Sequence, residues 1–302
     1  MGTPQAAVPS LERILTDGHE VAAVYTQPDR PSGRGNKIAF SPVKQAAVDH
    51  GIPVLQPVKI RTPEALGELK ALEADVAVVV AYGRILPETY LNAFPRGAVN
   101  VHFSLLPKYR GAAPVNWAIV NGESITGVTT MKMDVGLDTG DILLQCETEI
   151  GPEENAVELM ERLSRLGADL LSETLSELPT IKPRKQDDSL ATYAPILAKE
   201  DGKFDWSLPA DEIAKRVRGF QSFPTTYTSW DGKKLTLWKA VAMTGDEGEP
   251  GSVVASEGDE LVIACGSGTS LKIEEIQLEG KRRMTARDFL NGVKWTEGDK
   301  LG

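Results

Sequence analysis

The chain has 302 residues, 41% of them hydrophobic and 25% charged, with 33 lysines and arginines against 43 acidic residues. A formal charge of -10 excludes indiscriminate binding to a polyanion, so any nucleic-acid contact has to be a local basic patch. Apolar runs such as DVAVVVAYG (75–83) fall far short of the ~20 residues that span a bilayer, and no basic start with an apolar stretch opens the chain, so a soluble cytoplasmic protein is expected.

In chain order, VPSLERILTDGHE sets Leu11, Ile14 and Leu15 on one helical face and ends at Gly18, a suitable cap, before the strand EVAAVYT. The Gly/Arg loop QPDRPSGRGNKIAF leads to a second helix, SPVKQAAVDHG. A second strand, IPVLQ, a third helix, TPEALGELKALEA, and the strand DVAVVVA follow. Valine-rich, nearly unbroken apolar strands separated by helices predict an α/β domain with a Rossmann-like, doubly wound, mostly parallel sheet. GAVNVH, ITGVTTMKM and GDILLQCETEI add strands, and the amphipathic run NAVELMERLSRLGADLLSETLSEL closes the domain near Leu178.

Residues 1–179 are therefore read as one domain and 180–200, rich in charge with two early prolines, as a linker. Beyond it come one helix, ADEIAKRVRGF, and the strand candidates TTYTSW, KKLTLWKAVAM, SVVA, ELVIACG and TSLKIEEIQL. Short strands at this spacing predict a small C-terminal β-barrel over 201–302. The chain opens directly in the turn MGTPQAAVPS where a doubly wound domain usually opens with a strand, so either the fold lacks its first, central strand or the start has been placed too far downstream.

Cys146 and Cys265 are too few and too distant for a disulfide framework or a CxxC pair, and His19, His50 and His102 show no metal-ligand spacing, so no metal is expected. No GxGxxG follows a strand and no nucleophile elbow is present, which disfavours a dehydrogenase or a covalent acyl-enzyme. What remains is NVHFSLLPKYRGAAPVNW (100–117). Residues two apart on a strand share a face, so Asn100 and His102 point together, at a strand end where open α/β sheets bind ligands. Taken alone the pair is more often a satisfied strand end. Asp134, Asp138 and Asp141, set between glycines, are by themselves more often turn formers. An amide, an imidazole and a carboxylate together would nevertheless suit addition to a carbonyl, with donors for an oxyanion and a group to manage protons.

NVHFSLLPKYRGAAPVNWAI together with MDVGLDTGDIL resembles the 10-formyltetrahydrofolate-dependent formyltransferases, whose reacting residues are an Asn, a His and a following Asp. The resemblance implies these roles for Asn100, His102 and Asp138. It also implies a folate pocket of Tyr82, Gly83, Ile85, Leu86 and Pro87 with Ser104, Leu105, Leu106 and Pro107, and 10-formyltetrahydrofolate as co-substrate. The segments TQPDRPSGRGNKIAFSPVK, GIPVLQP, YAPILAKEDGKFDW and EGKRRMTARDFLNG are similar to the members that formylate methionine on initiator tRNA. By that likeness 1–179 is a catalytic domain and 201–302 an OB-like tRNA-binding barrel. Arg34 would approach the tRNA acceptor end, and Lys281, Arg282 and Arg283 would meet phosphates. Residues 201–302 hold 14 lysines and arginines against 17 acidic residues, so tRNA must be met by such clusters. Lys233, Lys234, Arg216 and Arg218 are further candidates. The expected partners are initiator Met-tRNA and the folate, with no membrane and a monomeric chain. The alternatives are a sugar-nucleotide N-formyltransferase and a noncatalytic tRNA-binding protein.

Overall fold

The computed structural model describes residues 1–302 except 33–36, 246–247 and 297–298. Arg34 lies outside the described residues. Contacts divide the chain into two units, one of Met1–Pro114, Ile125–Glu149 and Met160–Ala194, the other of Val115–Ser124, Ile150–Leu159 and Pro195–Gly302.

The first unit begins with helix α1 (Val8–Thr16), which carries Pro9 in its first turn and buries Val8, Ser10 and Leu11. Strand β1 (Val24–Tyr25) follows. Strands β2 (Arg30–Ser32) and β3 (Lys37–Ala39) pair antiparallel. Helices α2 (Pro42–Asp49) and α3 (Pro63–Lys70) start alike. A hydroxyl at the N-cap, Ser41 or Thr62, accepts the amide of Lys44 or Ala65, and a proline fills the first position, where no N–H is needed. Between them β4 (Val54–Leu55) pairs parallel with β1.

β5 (Ala77–Val79) runs parallel to β6 (Ala98–His102), with the short α4 (Glu88–Leu91) between them; β6 is antiparallel to β8 (Ile125–Lys132), and β8 to β9 (Ile142–Glu149). The sheet is thus mixed, not mostly parallel. Connection length accounts for one of the two antiparallel pairs: Met133–Asp141 is too short for a crossover, so β8 and β9 return on each other as a hairpin. β8 is buried along six consecutive residues, three of them threonines, so both its faces are covered. The 22-residue α6 (Ala156–Glu177) carries Leu163, Leu170 and Leu171 into the interior. Gly167 is required there, since a Cβ would come within 2.9 Å of Val101 Cγ1 on β6.

β1 and β5 do not pair directly. Met1 and Gly2 stitch them: the Met1 amino group donates to Val78 O at 2.7 Å, Val80 N to Met1 O at 2.9 Å, and Gly2 N to Tyr25 O at 2.9 Å. Beside this two-residue stitch, between 19–25 and 72–80, lies a cavity of about 560 Å³ lined also by Leu11 and Ile14.

Two short strands complete the unit. β7 (Arg110–Gly111) pairs parallel with β10 (Tyr193–Ala194), so part of the 180–200 stretch is laid against the loop after β6.

The second unit contains α5 (Pro114–Val120) beyond its first residue, α7 (Ala210–Gly219) and an antiparallel sheet. The sheet's order is β11 (Thr226–Trp230), β12 (Lys233–Thr244), β15 (Thr269–Leu278), β14 (Glu260–Cys265) and β13 (Val253–Glu257), with β16 (Met284–Thr285) paired to β15. Alternation along β12 and β15 sends Leu235 and Leu237, and Leu271 and Ile273, to the face covered by Ile213 and Val217 of α7, and the register shifts around Lys239 bring Ile276 to the same face. The pairing runs as a path from β11 to β13, so the architecture shown is an antiparallel sheet. Thr285 caps α8 (Ala286–Gly292), whose Phe289 meets Trp230 and Trp295 edge-on at 6.2 and 5.1 Å. No helix among the described residues is long and apolar enough to cross a membrane.

Candidate active site

Two adjacent parallel strands deliver the site. β5 and β6 end side by side, with Val79 opposite Asn100, and the loops that leave them carry 80–87 and 103–107. Inner residues Val99 and Val101 anchor β6, being 1% and 2% exposed. Asn100 and His102 lie on its other face, as the two-residue period requires.

The structure brings Asn100, His102 and Asp138 together. Asp138 follows β8 in the hairpin loop, where its φ of +54° puts it in the left-handed region. Its Oδ2 accepts Gly111 N at 2.8 Å and stands 3.7 Å from His102 Nδ1; its Oδ1 is 3.5 Å from Asn100 Nδ2. The other imidazole nitrogen, Nε2, is 2.9 Å from Tyr109 O. A carbonyl only accepts, so Nε2 carries a proton and Nδ1 is the atom that faces the carboxylate. His102 is 6% exposed, with the Asp138 side chain nearly as covered at 13%. The neighbouring aspartates behave as turn formers do. Asp134 accepts from Gly136 N and Thr139 Oγ1 and closes the loop, while Asp141 is exposed and its carbonyl takes Lys132 N.

The expected folate residues fall on the two loops. Leu106 is buried with Met131 and Ile142; its amide donates to Thr129 Oγ1 and its carbonyl accepts Gln145 Nε2. Ser104 is fully buried and its hydroxyl donates to Lys108 O, so it shapes the loop from inside. Leu105 and Pro107 are half-buried. Tyr82 and Leu86 sit in the core, the Tyr82 hydroxyl pushed up in pKa by burial and without a hydrogen-bond partner among the described residues, whereas Ile85 is 66% exposed, Gly83 is exposed and Pro87 half-buried. Ile85 on one loop, and Val135 and Leu137 (66% and 54% exposed) in the Asp138 loop, leave apolar surface open to a ligand.

In the second unit Lys281 and Arg282 are exposed. Arg283 is already engaged, paired through Nε with Glu275 and stacked 4.9 Å over Trp238. Lys233 is exposed, Lys234 lies 4.0 Å over the Tyr227 ring, Arg216 reaches Asp201 O, and Arg218 donates to Glu154 O.

Sequence reasoning missed Gly111, the Tyr109 carbonyl, Gln186 and Thr192. Gln186 donates to the carbonyls of Asp138 and Gly140, and Thr192 accepts from Tyr109 N. Neither stands in a pattern that marks a site.

Residues 1–175 match the family model described as formyl transferase, and 196–294 match that of the formyl transferase C-terminal domain. The chain is 51% identical over 304 residues to the methionyl-tRNA formyltransferase of Geobacter metallireducens, covering all of this chain and 97% of the relative. It is 53% identical over 305 residues to the enzyme of that name from Solibacter usitatus, at the same coverage. Among solved structures, the N-formyltransferase of Helicobacter canadensis in complex with folinic acid and dTDP-3-aminofucose superimposes with a TM-score of 0.67 at 22% identity. It covers 90% of this chain and 96% of that one, a likeness of fold.

Proposed function

The chain belongs to the methionyl-tRNA formyltransferase family, and from that premise we propose that it transfers the formyl group of 10-formyltetrahydrofolate to the amino group of methionine on initiator Met-tRNA, giving formyl-Met-tRNA. The observation that carries the reading is the meeting of Asn100, His102 and Asp138 at the carboxyl end of β6. Tyr82–Pro87 and Ser104–Pro107 would hold the folate on the loops beside it, and their apolar cover with free edges such as Ile85 suits a flat, partly exposed ring system.

The folate supplies an amide-like formyl carbon open to attack. An α-amino group has a pKa of about 7.7 in reference compounds, so near neutrality much of it is already nucleophilic. The protein's work is then positioning and charge management. Asn100 turns an amide N–H toward the oxygen on which negative charge develops. His102, its ring fixed by Nε2–H to Tyr109 O, takes the amine proton on Nδ1, and Asp138 at 3.7 Å balances the imidazolium. The same proton goes to the departing nitrogen.

Binding of tRNA is read as the work of the second unit, an OB-like module, through Lys281 and Arg282, with Arg34 toward the acceptor end. The reading needs no metal and describes a cytoplasmic, monomeric enzyme with 1–179 catalytic, 180–200 linking and 201–302 binding tRNA.

The test is transfer of labelled formyl from the folate to methionine-charged initiator tRNA, with an amino-sugar nucleotide as a parallel acceptor. Label on the tRNA methionine is expected. Label on the sugar alone, or on neither, would overturn the reading.

A further inference from the structure

We propose that residues 184–194 act as a positioning strap for the reacting trio, with Gln186 and Thr192 as its two positioning residues. The inference rests on the reading of Asn100, His102 and Asp138 as the reacting groups.

Two residues that orient the trio are left-handed: Asp138 (φ +54°), and Tyr109 (φ +60°), whose carbonyl fixes the His102 ring. For a side chain as large as tyrosine this conformation is unfavourable, and less so for aspartate, so both turns persist where neighbours hold them. Each is held by one side chain of the same segment. Gln186, 5% exposed, donates through Nε2 to Asp138 O at 2.8 Å and to Gly140 O at 2.7 Å. Its Oε1 accepts Nε and Nη2 of the buried Arg110 at 3.0 and 2.8 Å. Both donors and the acceptor oxygen are used, which makes the carboxamide a staple between residue 110 and the turn at 138–140. Arg110 is in turn closed by Asp188 at 2.8 Å.

Thr192 does the equivalent work at the histidine. Its Oγ1 accepts Tyr109 N at 2.8 Å, its carbonyl accepts Arg110 N at 2.9 Å, and its amide reaches Pro107 O at 3.3 Å. The β7–β10 pairing extends this hold to Gly111, whose N–H fixes the Asp138 carboxylate. Arg184 continues it at the other end, bridging Ile142 by backbone and Gln145 Oε1 by Nη2, with Gln145 on the carbonyl of Leu106. The strap therefore sets the gap between His102 Nδ1 and Asp138 Oδ2 without touching either reacting side chain.

The variants separate geometry from packing. Gln186→Glu keeps an acceptor for Arg110 and removes the donors to the turn. Thr192→Val removes the Oγ1 acceptor at constant shape, and Thr192→Ser retains it. Initial rates with labelled donor and charged initiator tRNA, from pH 6 to 9, are read with Tm, beside His102→Ala and Asp138→Asn. The expected result is a kcat lowered about 10- to 100-fold in Gln186→Glu and Thr192→Val. KM for either substrate should move less than about 3-fold, the limb of the kcat–pH profile should be displaced, and Thr192→Ser should be close to the parent.

If His102→Ala and Asp138→Asn lose transfer while folded Gln186→Glu and Thr192→Val keep the parent kcat and profile, the strap is refuted and the trio stands. A lower Tm with an unmoved pH profile assigns these residues to folding alone and also refutes it. Should Gln186→Glu not fold, the Thr192 pair decides: equal kcat and profiles for Val and Ser overturn the proposal. Transfer undiminished in His102→Ala removes the trio and the strap together.

Discussion

His102 presents Nδ1 to the Asp138 carboxylate at 3.7 Å while Gly111 N–H holds the same oxygen at 2.8 Å. The carboxylate is thus fixed by the backbone and not by the imidazole, which leaves the ring edge free to gain and lose a proton. Asp138→Asn keeps an oxygen for Gly111 and loses the charge. We expect kcat to drop about 10²- to 10⁴-fold, the range of a general acid–base contribution, with tRNA affinity retained. Initial rates and a tRNA binding titration check this; a variant with the parent kcat would take Asp138 out of the mechanism.

Two glycines near the site have no room for a side chain. At Gly111, φ is +119° and a Cβ would lie 2.5 Å from Ala194 O; at Gly140 a Cβ would lie 1.8 Å from Lys132 O. Both contacts are with backbone, which cannot swing away. Gly111→Ala should open the β7–β10 pair and Gly140→Ala should shift the Asp138 turn, each lowering stability by about 2 kcal/mol or more and cutting transfer. Urea midpoints beside initial rates measure both. A parent-like midpoint for either variant contradicts the packing described.

How far the site could be read from the chain depended on the range of the interactions. Asn100 and His102 were visible because a period of two is local. Asp138 is brought to them by a hairpin whose direction the residues do not announce. β8 is buried on both faces although three of its six buried residues are threonines, so its sequence shows no alternation that would mark it as antiparallel. Gln186 and Thr192 act through side-chain bonds to the backbone of residues 46 to 83 positions away, which leave no periodicity, and their charged, proline-containing surroundings read as a linker. In the second unit the strands were legible from alternation. The seven-residue α8 was not, because Thr285 and the exposed charges around it look like a turn until Phe289 is seen in the core.

The two thiols should differ sharply in reactivity. Cys265 is 2% exposed, and burial pushes its thiol up to about 12, so at pH 8 almost none of it is thiolate. Cys146 is only half-buried on β9. A disulfide reagent at pH 8 should titrate one thiol in the native protein and two in denaturant, and Cys146→Ser should remove the fast one. Two equally fast thiols in the native state would contradict the burial of Cys265.

The basic run at 281–283 divides by function. Arg283 is occupied by Glu275 and the Trp238 ring, so Arg283→Ala should act mainly on the sheet. Lys281 and Arg282 are exposed. Replacing both by alanine should weaken tRNA binding and lower the slope of log K against log salt by about 2, roughly one per phosphate contact. Binding isotherms at several salt concentrations decide it. An unchanged slope places the tRNA contacts elsewhere.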